Sequence, residues 1–132
     1  GLLDRTDHLP RPSYWLVYLW SKLVGSVVYD ADEPIRDGVH LFAHSRKDGK
    51  DGYAFIAVNN SKTESLPLRL PVACERYTLS SPVLRAPSVR LNGLELRLAD
   101  GDELPALIPI TERAGTIELE PATVTFLIVG LN

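Results

Sequence analysis

A chain of 132 residues, 45% hydrophobic and 23% charged, fits one globular domain with one core and lies far from disordered composition. Its net charge of -3, with lysines and arginines scattered singly, supplies no basic stripe for a nucleic acid, so that partner is excluded. The single cysteine, Cys74, rules out an internal disulfide and decides no compartment.

In chain order, the sequence begins at Gly1 without methionine, and no charged segment followed by an apolar one precedes the first structured stretch. That start suits a fragment or a processed product. The longest apolar run, Tyr14 to Leu19, is far short of the ~20 residues a membrane span needs, so no transmembrane segment is expected. Trp15, Leu16, Leu19, Trp20, Leu23 and Val24 follow the spacing of one helical face, which predicts a helix from Ser13 to Val24. Pro12 or Ser13 provides its start, and Gly25 stands where a left-handed cap would end it. Tyr14, Val17 and Tyr18 widen the apolar face until only Ser21 and Lys22 are clearly polar, so this helix requires cover on most sides.

After Gly25 the period changes to two, and Val27 and Tyr29 open a strand. Strands are predicted at Val39 to Ser45 and Tyr53 to Asn59, joined by the polar, glycine-bearing connection Arg46 to Gly52. Further strands are read at Leu66–Leu70, Arg76–Ser80, Val89–Leu91, Leu94–Leu98, Thr116–Leu119 and Thr123–Val129, with Asn92-Gly93 as a two-residue turn. Ala99 to Pro109 has no regular pattern and is expected to wrap the surface. Short runs punctuated by nine Gly and ten Pro, with no second helical pattern, predict a mainly β fold: an antiparallel β-sandwich preceded by one N-terminal α-helix.

No set of residues has workable chemistry by its spacing. His40 and His44 share a strand face with Phe42, but at ~3.3 Å of rise per residue they stand roughly 13 Å apart, too far to share one ion. Glu118 and Glu120 also share a face and superficially suggest the paired carboxylates of a glycosidase. The alternation Ile117, Glu118, Leu119, Glu120 is better explained by a strand with one wet side. Asp100, Asp102 and Glu103 form an acidic cluster without a calcium-loop signature. His8 lies in a charged loop, Ser13, Ser80 and Ser81 lack a nucleophile elbow, and Gly49 and Gly52 precede no helix that could cradle phosphate. Tyr14, Trp15, Tyr18 and Trp20 are read as core residues rather than sugar platforms, and Tyr29, Phe42, Phe55, Tyr77 and Phe126 are spread singly over separate strands.

Several segments in order resemble a known family. Ser13 to Gly25 (SYWLVYLWSKLVG) is similar to the segment of heparanases, glycoside hydrolase family 79, that forms the last helix of their (β/α)8 barrel and leads into a C-terminal β domain. Val39 to His44, Tyr53 to Asn60 and Leu66 to Pro71 resemble that domain's first strands. Val89 to Leu98 (VRLNGLELRL), Leu104 to Pro109 and the closing run Ala122 to Val129 resemble its later ones, so the likeness covers nearly the whole chain.

The resemblance implies a loop and final barrel helix over residues 1–25 and a C-terminal β-sandwich domain over 26–132. It implies a retaining hydrolase of β-glucuronide-containing glycans whose two catalytic glutamates lie upstream, so no catalytic, cofactor-binding or metal residue and no cofactor is expected in this chain. The expected partner is the catalytic barrel of the same polypeptide, and glycan would be met only through it. The family also feeds a strand from its N-terminal part into this sandwich, which would leave an unpaired edge here. A secreted or periplasmic location follows from the resemblance alone, and the absence of the animal members' C-terminal cysteine points to a microbial relative. The alternative is a free-standing carbohydrate-binding or interaction module, whose mark would be a row of aromatics on a sandwich face.

Overall fold

A computed structural model describes residues 12–36, 39–80, 89–98, 101 and 103–130. The one helix among the described residues, α1 (Pro12–Leu23), opens on proline, whose fixed φ suits a first helical position and whose missing N–H costs nothing there. Trp15 and Leu19, one turn apart, are fully buried. Lys22 in the last turn complements the helix dipole and lies 5.9 Å from the Tyr18 ring centroid.

Helix termination differs from the sequence expectation. Gly25 forms no left-handed cap, because strand β1 (Val24–Arg36) starts immediately after Leu23. The Leu23 carbonyl, which a cap would have satisfied, accepts the Lys47 N–H at 3.1 Å instead. Glycine is still needed at position 25, for another reason. A Cβ there would meet the Ser45 hydroxyl and lie 2.8 Å from the Arg46 carbonyl oxygen, so only glycine lets β1 approach β2 (Val39–Arg46) closely.

β1 is longer than its short alternating run suggested, and its pairing with β2 shifts register three times. The irregular edge strand also carries Pro34, which has no N–H to donate to a ladder. The other strands are β3 (Gly52–Asn59), β4 (Leu66–Leu70), β5 (Cys74–Ser80), β6 (Arg90–Leu91), β7 (Leu94–Glu95), β8 (Ile110–Glu112), β9 (Gly115–Leu119) and β10 (Thr123–Gly130). β8 has no counterpart in the sequence reading; three residues after a proline are too few to show a period of two.

Two layers result. The large sheet runs β1-β2-β3-β10-β5-β6-β7, with β8 also on β5, and every pairing is antiparallel. A second sheet pairs β4 with β9 and holds no further strand among the described residues. The sandwich fold class is therefore borne out, with unequal layers. Asn92 and Gly93 have φ of 50° and 85°, the paired left-handed conformations of the tight turn that joins β6 to β7.

The large sheet has a core on each face. On one, Trp15 and Leu19 of α1 pack with Ala54 and Ile56 of β3, Phe126 of β10, and Tyr77 and Leu79 of β5. Full burial of side chains of this size contributes about 1.5–3 kcal/mol each. The segment 103–109, without regular structure, crosses this side as expected: Leu107 packs on the cluster, and the Tyr18 hydroxyl donates to the Pro105 carbonyl at 2.9 Å. On the other face, Leu66, Leu68 and Leu70 of β4 and Leu119 of β9 meet Ala57, Leu127 and Val129. Central strands buried on both faces explain why Thr123–Val129 reads as a nearly continuous apolar run.

Candidate functional site

Because a two-stranded layer faces an eight-stranded one, each outer edge of the small sheet borders an opening. Beside β4 lies an apolar groove of about 370 Å³, walled by Leu41, Tyr53, Phe55, Leu68, Leu127 and Val129. Beside β9 lies a polar cleft of about 790 Å³, lined among others by Lys62, Arg76, Thr78, Arg90, Glu118 and Glu120.

The sequence places these characters at opposite ends of the same strands. Along β10 the residues facing the small sheet are Thr123, Thr125, Leu127 and Val129, polar at the cleft end and apolar at the groove end. β3 and β5, both antiparallel to β10, run the opposite way, from Phe55 to Asn59 and from Cys74 to Arg76 and Thr78.

Arg76 is the most constrained side chain of the cleft. Its Nε donates to Glu112 Oε1 at 3.0 Å, and its Nη1 donates to Thr78 Oγ1 at 2.7 Å and Asn92 Oδ1 at 3.2 Å. The Thr78 hydroxyl also meets that of buried Thr125 at 3.2 Å. Asn92 accepts the Thr78 N–H at 2.8 Å and donates through Nδ2 to the carbonyls of Arg76 and Ile108, both at 3.1 Å. One turn residue thus ties β5, the β6–β7 hairpin and the segment before β8 around one guanidinium. Asn59, almost fully buried, does the same nearby: its amide donates to the carbonyls of Glu64, Leu119 and Glu120, and its Oδ1 accepts the Ser61 N–H at 2.9 Å. From the sequence Asn92 is legible as a turn former only, and Arg76, Arg90 and Lys62 carry no local signal, because they converge through pairing of strands distant in the chain.

The residues that the sequence did single out are placed as follows. Glu118 and Glu120 are exposed and line the cleft together, on the outer side of β9. His40 and His44 face the helix side of β2; His44 is 9% exposed, its ring lies 5.0 Å from that of Trp20, and its Nδ1 has no hydrogen-bond partner among the described residues. No group of three or more His, Cys, Asp or Glu able to hold a metal occurs among the described residues. His8, Asp100 and Asp102 lie outside them. Cys74 is buried at the groove, and burial, aided by the Glu112 charge, pushes its thiol above the ordinary value.

Two expectations about aromatics are refined. Trp15 is buried, but Trp20 is 38% exposed and, with Val17 and Val28, leaves apolar surface on the outside of α1 and β1. The sheet aromatics are not all isolated either: Tyr29 and Tyr53 meet at 5.2 Å between ring centroids, and Tyr53 and Phe55 at 5.5 Å. Strand pairing brings them together, which spacing along the chain does not reveal. Their planes lie 75° and 37° apart and two of the three wall the groove, so the cluster is an extension of that apolar opening rather than a flat sugar platform.

The described residues form an antiparallel β-sandwich of unequal layers with an apolar groove and a polar cleft at the edges of the small sheet. No protein-family model matches the chain. Curated proteins do: baicalin-beta-D-glucuronidase of Scutellaria baicalensis is 31% identical over 99% of this chain and 26% of its own length. Hyaluronoglucuronidase of Hirudo nipponia is 28% identical over 98% of this chain and 29% of its own length. Inactive heparanase-2 of Mus musculus is 28% identical over 91% and 24%, respectively. Over most of its length the chain is similar to heparanase-like glucuronidases, and it spans about a quarter of the length of the relatives it matches.

Proposed function

We propose that this chain is the C-terminal, non-catalytic part of a heparanase-like retaining glycoside hydrolase of family 79 that acts on β-glucuronide-containing glycans. Its role is to cover and stabilise the catalytic barrel of the same polypeptide. Residues 1–25 end that barrel, and 26–132 form the sandwich domain.

The observation that carries this reading is apolar surface left without cover in a chain that matches only a quarter of its relatives. Val17 and Trp20 on α1 and Val28 on β1 are exposed, Val28 at 69%, and the Trp20 ring lies against His44, whose buried Nδ1 has no hydrogen-bond partner among the described residues. The edge of β4 away from β9, which pairs with no strand among the described residues, adds a second surface. Its groove has the apolar walls and unpaired backbone edge that a strand from elsewhere in the polypeptide would fill. Glutamates for catalysis then belong to the barrel, and the exposed pair Glu118 and Glu120 stays a wet strand face.

Binding of an environment-sensitive apolar dye to the isolated chain tests this reading. Strong binding that falls on Trp20→Glu is expected; a monomeric, sharply melting chain that binds no dye would overturn it.

A further inference from the structure

The polar cleft beside β9 is not explained by a covering role. Surfaces that await apolar cover do not need a guanidinium fixed by three side chains. We infer that this cleft is a binding subsite for an acidic sugar, a uronide whose carboxylate is read by Arg76, Arg90 and Lys62.

Arg76 is prepared in the way a planar anion requires. Its Nε donates to Glu112 and its Nη1 to Thr78 and Asn92, so little rotamer freedom remains to be lost on binding. Its Nη2 donates to nothing among the described residues. Glu112 already holds one side of the guanidinium, so a ligand carboxylate completes the pairing from the open side. Arg90 of β6 and Lys62 of the β3–β4 connection reach the same cleft from separate elements and are both exposed.

The carboxylates of the cleft decide between classes of anion. Glu118 of β9 and Glu120 just beyond its end line the cleft, whereas Arg76, Thr78 and Arg90 belong to β5 and β6. An acidic peptide would meet repulsion from the glutamates. A uronide has both chemistries: a carboxylate for the guanidinium groups, and hydroxyls that donate to Glu118 and Glu120 and exchange hydrogen bonds with Thr78 and Ser80. The choice of uronide among acidic sugars rests on the proposed function, while the anion chemistry rests on the cleft itself.

Titration of the isotope-labelled chain with sodium D-glucuronate, followed by the Arg76 Nε–H and Asn92 side-chain amide resonances, tests the assignment. Saturable shifts at both are expected, with D-glucose, sodium acetate and tetraglutamate each far weaker. Arg76→Gln endangers the fold, so the exposed positions carry the mutational arm. Loss of a charge-assisted contact predicts about tenfold weaker binding for Arg90→Gln and about threefold for Lys62→Gln. Unmoved resonances, acetate or tetraglutamate matching glucuronate, or two variants binding like the parent would each overturn it. The titration involves no turnover and no barrel, so its outcome is separate from that of the glucuronidase reading.

Discussion

The two flanks of the β4–β9 sheet face the same large sheet and differ in almost every chemical respect. At the β4 flank, Leu127, Val129 and Phe55 lie against leucines, and Cys74 is buried among them. At the β9 flank the equivalent strand ends carry Thr123, Thr125, Asn59 and Arg76, nearly all of whose polar atoms are hydrogen-bonded. A layer of two strands leaves both flanks open, so burial alone does not separate them. What separates them is the solvent each end is built for: one is stable when another chain segment covers it, the other while it is wet or holding a polar ligand.

Removing a large side chain from the apolar flank should have the greatest effect. Leu127→Ala leaves a cavity beneath β4 and is expected to cost about 2–5 kcal/mol, read as a lower urea midpoint with unchanged slope. At the polar flank the matching test is Asn92→Gly, which keeps the left-handed turn accessible but deletes the side chain that ties three segments. A loss of about 1–3 kcal/mol is expected. A cost for Asn92→Gly exceeding that for Leu127→Ala would invert the comparison and make the polar network the stronger element.

The buried thiol sharpens it through pH. Cys74 is pushed up by burial first and by Glu112 second, so the folded state holds its proton more tightly than the unfolded state. The stability this contributes is complete below the unfolded value, near 9.0, and is lost as pH rises through the raised folded value. Alkylation of Cys74 by iodoacetamide at neutral pH should therefore be much slower than that of an unfolded control peptide. Equal rates would mean that the groove is open to water and reagent. The smallest effect is expected away from both flanks. Arg46 and the β2–β3 connection hold Asp48 below the usual carboxylate range, chiefly through the Arg46 hydrogen bond, yet that side chain stands largely in water. Asp48→Asn should shift stability by no more than about 0.5 kcal/mol at neutral pH.

Much of this comparison was legible in the sequence, though not its meaning. The apolar run Thr123–Val129, the Asn92-Gly93 turn and the helix from the Pro12–Ser13 start all fix local geometry, and each is readable from the sequence alone. The unequal layers were not, because register among strands far apart in the chain decides which edges stay open. For the same reason the Tyr29–Tyr53 contact and the convergence of Arg76 with Glu112 were invisible: the latter spans 36 residues. Gly25 was noticed for its position after a helix, whereas its need comes from the close approach of β2. Carboxylates such as Glu118 and Glu120 were readable as a shared wet face, and the structure adds the cleft that they border.

The central claim, that this chain supports glucuronide chemistry without performing it, is tested most directly by assay of the 132 residues alone on a chromogenic β-D-glucuronide. No hydrolysis above buffer is predicted, with or without Glu118→Gln or Glu120→Gln. Turnover by the chain that either substitution abolishes would contradict the account and move catalysis onto the strand face assigned here to solvent and sugar contact.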